Sequence, residues 1–333
     1  MSIEHKQNHQ KLSWVGLLIS LGIIFGDIGT SPLYVFKAIF NGGEITEMVI
    51  FGGLSCIFWT LTLQTTIKYV LITLNADNKG EGGILSLFSL VRKRAKWLVI
   101  PAIIGGCTLL ADGMITPAIT ISSAVEGLAI KIPNFPTIPV VVLIISILFI
   151  IQRFGTNIVG RVFGPLMFIW FSTIGLLGFS YLGNSPEIWK SLNPYYAYQL
   201  LTAYPNAWFI IGAIFLCTTG AEALYSDMGH CGKANIRVSW IFVKLMLVLN
   251  YFGQGSWLLE NKGNLLGTTN PFYAIMPDWF VVWGVAIATI AAVIASQAMI
   301  SGSFTLIAEA VRLNIWPKVA IRYPSDHKGQ IYV

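Results

Sequence analysis

Charged residues are scarce in this sequence: 21 basic and 15 acidic among 333, or 11%, where a soluble domain carries about a quarter. That scarcity excludes a disordered chain, a basic nucleic-acid binder and most soluble enzymes. The four cysteines, Cys56, Cys107, Cys217 and Cys231, form no CxxC pair, and the four histidines form no HExxH. A disulfide framework and a structural zinc site therefore lack support. No TVGYG-like run offers a channel filter, and the glycine-rich turn around Glu81 lacks the lysine and hydroxyl order of a phosphate loop. No nucleophile–base pair marks an enzyme. What the chain has instead is 55% hydrophobic residues and a mean hydropathy of +0.70. That composition belongs to an all-α polytopic membrane protein.

Eight apolar runs are candidate spans: 14–40, 49–74, 97–128, 136–152, 162–182, 206–227, 236–257 and 280–310, the fourth of them short. A span needs about 20 mostly apolar residues. The stretch 184–205 reads as a polar-aromatic loop; Tyr195, Tyr196 and Tyr198 in it, and Trp208 just beyond, suit a headgroup-level belt. With the N-terminus placed in the cytoplasm, 15 of the 21 basic residues fall in inner segments and 3, Lys131, Lys190 and Lys262, in outer loops. That bias predicts cytoplasmic N- and C-termini. Lys37, Lys68 and Lys244 are expected to snorkel from span ends. The polar start, residues 1–13, reads as a retained cytoplasmic tail, and 311–333 as a second, abruptly ending one.

Three acids stand inside these runs: Asp27, Asp112 and Glu222, none with a Lys or Arg within a turn. A bare charge at mid-bilayer costs about 2.5–3.5 kcal/mol on insertion scales, so such residues are expected to line a cavity, bind a proton or meet a cation. Around Asp27, in GIIFGDIGTSPLYVF (22–36), Gly26, Gly29 and Pro32 interrupt the run, and Thr30, Ser31 and Tyr34 add hydroxyls. Proline cannot continue the helical ladder, so a discontinuous helix is expected, its freed carbonyls available to an ion. A second interruption surrounds Gly220 in FLCTTGAEALYSDMGH (215–230), next to Thr219 and Glu222. Asp227 and His230 lie nearer its end. Paired broken spans mark the substrate site of secondary transporters. Asp112, Thr116 and Thr120 repeat at helical spacing along one face of the third run. Hard oxygen ligands favour an alkali cation or a proton over a transition metal.

The segments GDIGTSPLY (26–34), KGEGG (79–83), ADGMITPAI (111–119), SAVEGL (123–128), GAEALYSDMGH (220–230) and ASQAMISGSFTLIAEA (295–310), in that order, resemble those of the Kup/HAK/KT potassium uptake permeases. The resemblance implies a LeuT-like fold of the amino acid–polyamine–cation superfamily, with helices 1 and 6 broken. It implies a first five-helix repeat over 14–182 and an incomplete second inverted repeat, three helices over 183–310. It implies proton-coupled potassium uptake at the cell membrane with no cofactor. Potassium ligands would be Asp27, Tyr34, Asp112, Thr120 and Thr219, the carboxylates of Asp27 and Asp112 carrying the metal ion, with Glu222 in proton coupling or ion binding. The expected partners are potassium, protons and the lipid bilayer; a homodimer is left open and nucleic acid is not expected. Members of that family usually carry about twelve membrane helices, so two alternatives stand beside transport. One is a noncatalytic truncated fragment; the other is an organic-solute transporter of the same fold, which Asp27 disfavours for a substrate with an anionic group.

Overall fold

The structure is a computed structural model that describes residues 12–76, 82–92, 95–152, 157–205 and 207–319. The outer parts of both expected tails, Glu81 with most of the 79–83 turn, and Lys6, Lys11, Lys79, Lys93, Arg94, Arg153, Arg322 and Lys328 lie outside the described residues. Among the described residues there is no sheet, only one isolated bridge between Glu44 and Leu265. The helices are α1 (Trp14–Ile23), α2 (Gly26–Thr30), α3 (Val35–Phe40), α4 (Glu47–Thr60), α5 (Ile84–Val91), α6 (Val99–Glu126), α7 (Thr137–Gln152), α8 (Asn157–Leu182), α9 (Pro194–Ala203), α10 (Ala207–Phe215), α11 (Ala223–Ser226), α12 (Met228–Cys231), α13 (Lys233–Glu260), α14 (Pro271–Ala274) and α15 (Val281–Arg312).

Six helices are long and apolar enough to cross a membrane, and a seventh span forms if α1 and the segment Gly26–Leu33, bent by 67°, count as one. Eight were expected, and the difference lies at α7. Its 16 residues rise only about 24 Å, short of a hydrocarbon core of about 30 Å. Many large apolar side chains face outward, Trp208 at 85% and Phe209 at 83% exposure among them. A soluble protein would bury such residues, whereas a lipid-facing surface requires them.

The 184–205 stretch is helical where a loop was expected. A 3-10 helix, Pro186–Leu192, leads into α9, where the Asn193 side chain accepts from the Tyr195 N–H at 3.0 Å and Pro194 takes the first turn. A side-chain acceptor at the N-cap and proline just inside a helix both promote its start, and α9 packs along α4. Beyond α4 the chain winds as a π-helix over Leu61–Ile72. Thr66 and Thr73 donate five residues back, to the carbonyls of Leu61 and Lys68, in register with that winding.

The largest packed pair is α8 with α13, followed by α6 with α15. The first pair crosses where Gly178 meets Gly253: a Cβ on Gly253 would lie 2.8 Å from the Gly178 carbonyl carbon. Small residues let membrane helices approach to backbone contact. Lys244, expected at a span end, lies inside α13. It donates to the hydroxyls of Thr62 at 3.0 Å and Thr66 at 3.2 Å and sits over the Phe58 ring. Lys37 is likewise tied down, 2.6 Å from Glu126.

Candidate cation site

The first span comes apart at Ile24–Phe25, where both N–H groups fall back on the Ser20 carbonyl, at 3.0 and 3.3 Å. Gly26 opens the short helix α2 and packs on Ala295 of α15, while Asp27 occupies its first turn. Gly29, expected at the break, lies inside α2, where a Cβ would sit 2.5 Å from the Phe171 ring. Pro32 belongs to a 3-10 turn, Ser31–Leu33, and Tyr34 follows before α3 begins. Ser13, at the other end of α1, accepts the Gly16 N–H at 3.0 Å and starts the span.

The sixth span comes apart differently. After α10 a 3-10 turn, Leu216–Thr218, ends at an extended Thr219 with ψ 133°, and Gly220 adopts φ +84°. Only glycine takes that conformation without strain. The position is also crowded, because a Cβ at Gly220 would lie 2.7 Å from the Asp27 Cβ and Oδ2. Glu222 then leads into α11. The turn Ser31–Leu33 packs on both Leu216–Thr218 and α6, so the two interrupted spans and the third meet.

At that junction one carboxylate oxygen from each of Asp27, Asp112 and Glu222 lies within 4.8 Å of the other two. Asp27 is 3% exposed and neither of its carboxylate oxygens has a hydrogen-bond partner. Asp112 is steadied by the Thr116 hydroxyl, which donates to it at 2.6 Å. None of the ion pairs found among the described residues involves these acids. Three ionised groups this close would repel by roughly 3 kcal/mol or more per pair at an effective dielectric near 20, beyond the several kcal/mol of taking each from water. Such a cluster needs a cation, a shared proton or both. An ion between three oxygens at most 4.8 Å apart could reach all three at no more than about 2.8 Å, so the cluster is compact enough for one cation to be shared.

The other expected ligands gather here unevenly. The Tyr34 hydroxyl, 3.3 Å from that of Ser31, is within electrostatic reach of Asp27, Asp112 and Thr120. The Thr120 hydroxyl is buried without a partner. Thr219 is half-buried at the second break, and the Thr30 hydroxyl is turned back onto the Asp27 carbonyl at 2.8 Å. Asp227 lies further along, with Asp27 and Glu222 on a pocket that also takes in Ile23, Leu109 and Ser303. That pocket lies on the α1 side of the acids. On the α3 side, Lys37 of α3 pairs with Glu126 at the end of α6, and Lys131 with Asp278 at 3.0 Å.

Three residues passed over in the sequence also belong to the site's frame. Carbonyls of the interrupted first span were expected to be available to an ion, yet three of them, downstream of the bend, accept buried side-chain donors from outside the span. Trp170 Nε1 donates to Gly29 at 2.9 Å, Gln254 Nε2 to Pro32 at 3.1 Å and Asn270 Nδ2 to Leu33 at 2.8 Å. The signal available beforehand was Asn250 with Gln254, two amides one helical turn apart inside an apolar run.

Residues 14–333 match the family model described as the K+ potassium transporter integral membrane domain. A probable potassium transport system protein Kup of Cytophaga hutchinsonii is 64% identical over 98% of this chain and 50% of its own length. Its counterpart in Flavobacterium johnsoniae is 61% identical over 100% of this chain and 52% of its own, and one in Clostridium perfringens is 53% identical over 99% and 52%. The chain thus spans about half the length of the curated relatives it matches. No solved structure matches.

Proposed function

Because the chain belongs to the K+ potassium transporter family, we propose that it carries the cation site of a proton-coupled potassium uptake protein. The observation that supports this most is the meeting of Asp27, Asp112 and Glu222 within 4.8 Å where two interrupted spans cross. In this reading potassium sheds its water for the oxygens of Asp27, Tyr34, Asp112, Thr120 and Thr219. The carboxylates offset the cost of dehydration, which a low-dielectric interior would otherwise make prohibitive. Glu222 takes the proton, lowering the local negative charge as the site closes.

The architecture in this reading is LeuT-like: a five-helix repeat over 14–182 and three helices of an inverted second repeat over 183–310. The basic-residue bias puts the α1 end in the cytoplasm, so the pocket beside Asp27 and Glu222 is the inward path and the Lys37–Glu126 pair closes the outward one. At −100 mV, two inward charges gain about 4.6 kcal/mol, enough for a gradient of more than about a thousandfold.

The test is potassium or rubidium uptake in cells stripped of their own uptake systems, expressing this chain or the chain extended to its relatives' length. Rescue by either, lost in Asp27→Asn and Asp112→Asn, supports the site. Unchanged potassium affinity in both variants and in Glu222→Gln would overturn it. Altered proton dependence in Glu222→Gln alone would identify the coupling acid.

A further inference from the structure

The stretch of the first span from Gly26 to Tyr34 is buried throughout, and a buried carbonyl left without a donor is costly. Here the donors come from three separate places: Trp170 on α8, Gln254 on α13 and Asn270 just before α14. Trp170 and Gln254 are fully buried and Asn270 is 9% exposed. The donors are themselves fixed. Gln254 Nε2 also donates to Asn250 Oδ1 at 2.7 Å, and Asn250 Nδ2 donates to the Ile174 carbonyl at 2.8 Å on α8. Asn270 Oδ1 accepts the Phe272 N–H at 3.0 Å, and the Trp170 ring packs on Phe272 with centroids 5.8 Å apart. Each donor is thus wired to α8, α13 or α14, and none touches the acids.

We propose that Trp170, Gln254 and Asn270 are positioning residues that set the site's preference among alkali cations. They hold the Gly29, Pro32 and Leu33 carbonyls on the frame, so the turn carrying Asp27, Ser31 and Tyr34 cannot draw in around a smaller ion. A site free to contract would satisfy sodium as well as potassium; one held open leaves sodium under-coordinated for the water it gave up. The proposal rests on the potassium-site reading above and adds what makes that site selective.

The experiment uses the 333-residue chain in lipid nanodiscs, with thermal stabilisation by potassium chloride or sodium chloride titrated against choline chloride at constant ionic strength. Gln254→Met keeps the side chain's length and removes its donor. Asn270→Asp keeps the acceptor for the Phe272 N–H and removes the donor to Leu33. Trp170→Phe keeps a ring and removes the indole N–H. In each, the ratio of sodium to potassium midpoints is expected to fall about tenfold, the scale of one buried hydrogen bond. A role confined to stability would lower melting in choline and leave that ratio alone. An unchanged ratio in a variant that still binds potassium overturns the proposal and spares the site. Potassium that stabilises neither the unmodified chain nor the chain extended to its relatives' length overturns the site reading and this inference with it; where only the extended chain responds, the three substitutions are read in it. Should one variant fail to fold, the other two carry the test, because the donors sit on different segments.

Discussion

The two interrupted spans meet the same problem, carbonyls and N–H groups without helical partners, in opposite ways. The first is held from outside: three of its carbonyls are taken by side chains of α8, α13 and the segment before α14, and every residue from Gly26 to Tyr34 is buried. The second is bonded mainly within its own backbone: Thr219 N–H to Leu216 at 3.3 Å, Ala221 to Thr218 at 3.0 Å and Ala223 to Gly220 at 3.1 Å, with the Tyr225 hydroxyl further along donating to the Ala76 carbonyl, and Thr219, Glu222 and Ala223 are only half-buried. A segment bonded to its surroundings is fixed by them; one bonded to itself can shift as a unit. The contrast makes the first break the more tightly held of the two.

The largest effect that could break this contrast is expected at Gly220. Alanine there meets both the positive φ, costing about 1–2 kcal/mol, and a Cβ 2.7 Å from Asp27. Gly220→Ala should abolish potassium-dependent stabilisation in a thermal titration. A normal midpoint would mean that the second break does not depend on its glycine. Next comes Asp27→Asn, which sharpens the role of the fixed side. Losing one of three crowded charges should raise the melting temperature in choline while weakening potassium binding about a hundredfold or more. A fall in both would argue that Asp27 is structural.

A smaller effect is expected at the outer pair. Lys37 and Glu126 are about a third exposed, and such pairs contribute about 1 kcal/mol at most. Glu126→Gln should speed amide hydrogen exchange over residues 35–40 by up to about fivefold, measured by mass spectrometry. No change there would remove the pair from any part in closing that end. The smallest is at Glu187, fully exposed, whose carboxyl the neighbouring Lys190 ammonium holds below the ordinary range. A carboxyl lowered in the folded state stabilises at neutral pH and loses that contribution as pH falls through its folded value. Full exposure screens the pair, so Glu187→Gln should leave the melting temperature unchanged from pH 7 to pH 4.

The acids and both breaks were legible in the sequence because each is an anomaly: Asp27, Asp112 and Glu222 are charges in apolar runs, and Gly220 is a glycine amid them. The meeting of the three acids follows from where the spans cross, which no spacing along the chain states. Gly29 was read as a breaker and is a packing site for Phe171, since the actual bend falls two residues before Asp27. Trp170, Gln254 and Asn270 escaped notice for the opposite reason: an indole and two amides carry no charge, and only the positions of the carbonyls they meet distinguish them. The helices at 186–203 were hidden by their aromatic and polar content, and only the Asn193–Pro194 pair marked the start of α9.

The crossing of Gly178 over Gly253 has a bearing well beyond its own contact. Asn250 lies against Gly178, and Gln254 follows on the same helix. Thickening that crossing by even a methyl group would wedge the two longest-packed spans apart and carry the amide of Gln254 with them. On the proposal that Gln254 helps set ion preference, a neutral, apolar change remote from any charge would detune it, and natural variants at this crossing would drift in specificity while every acid stays as it is.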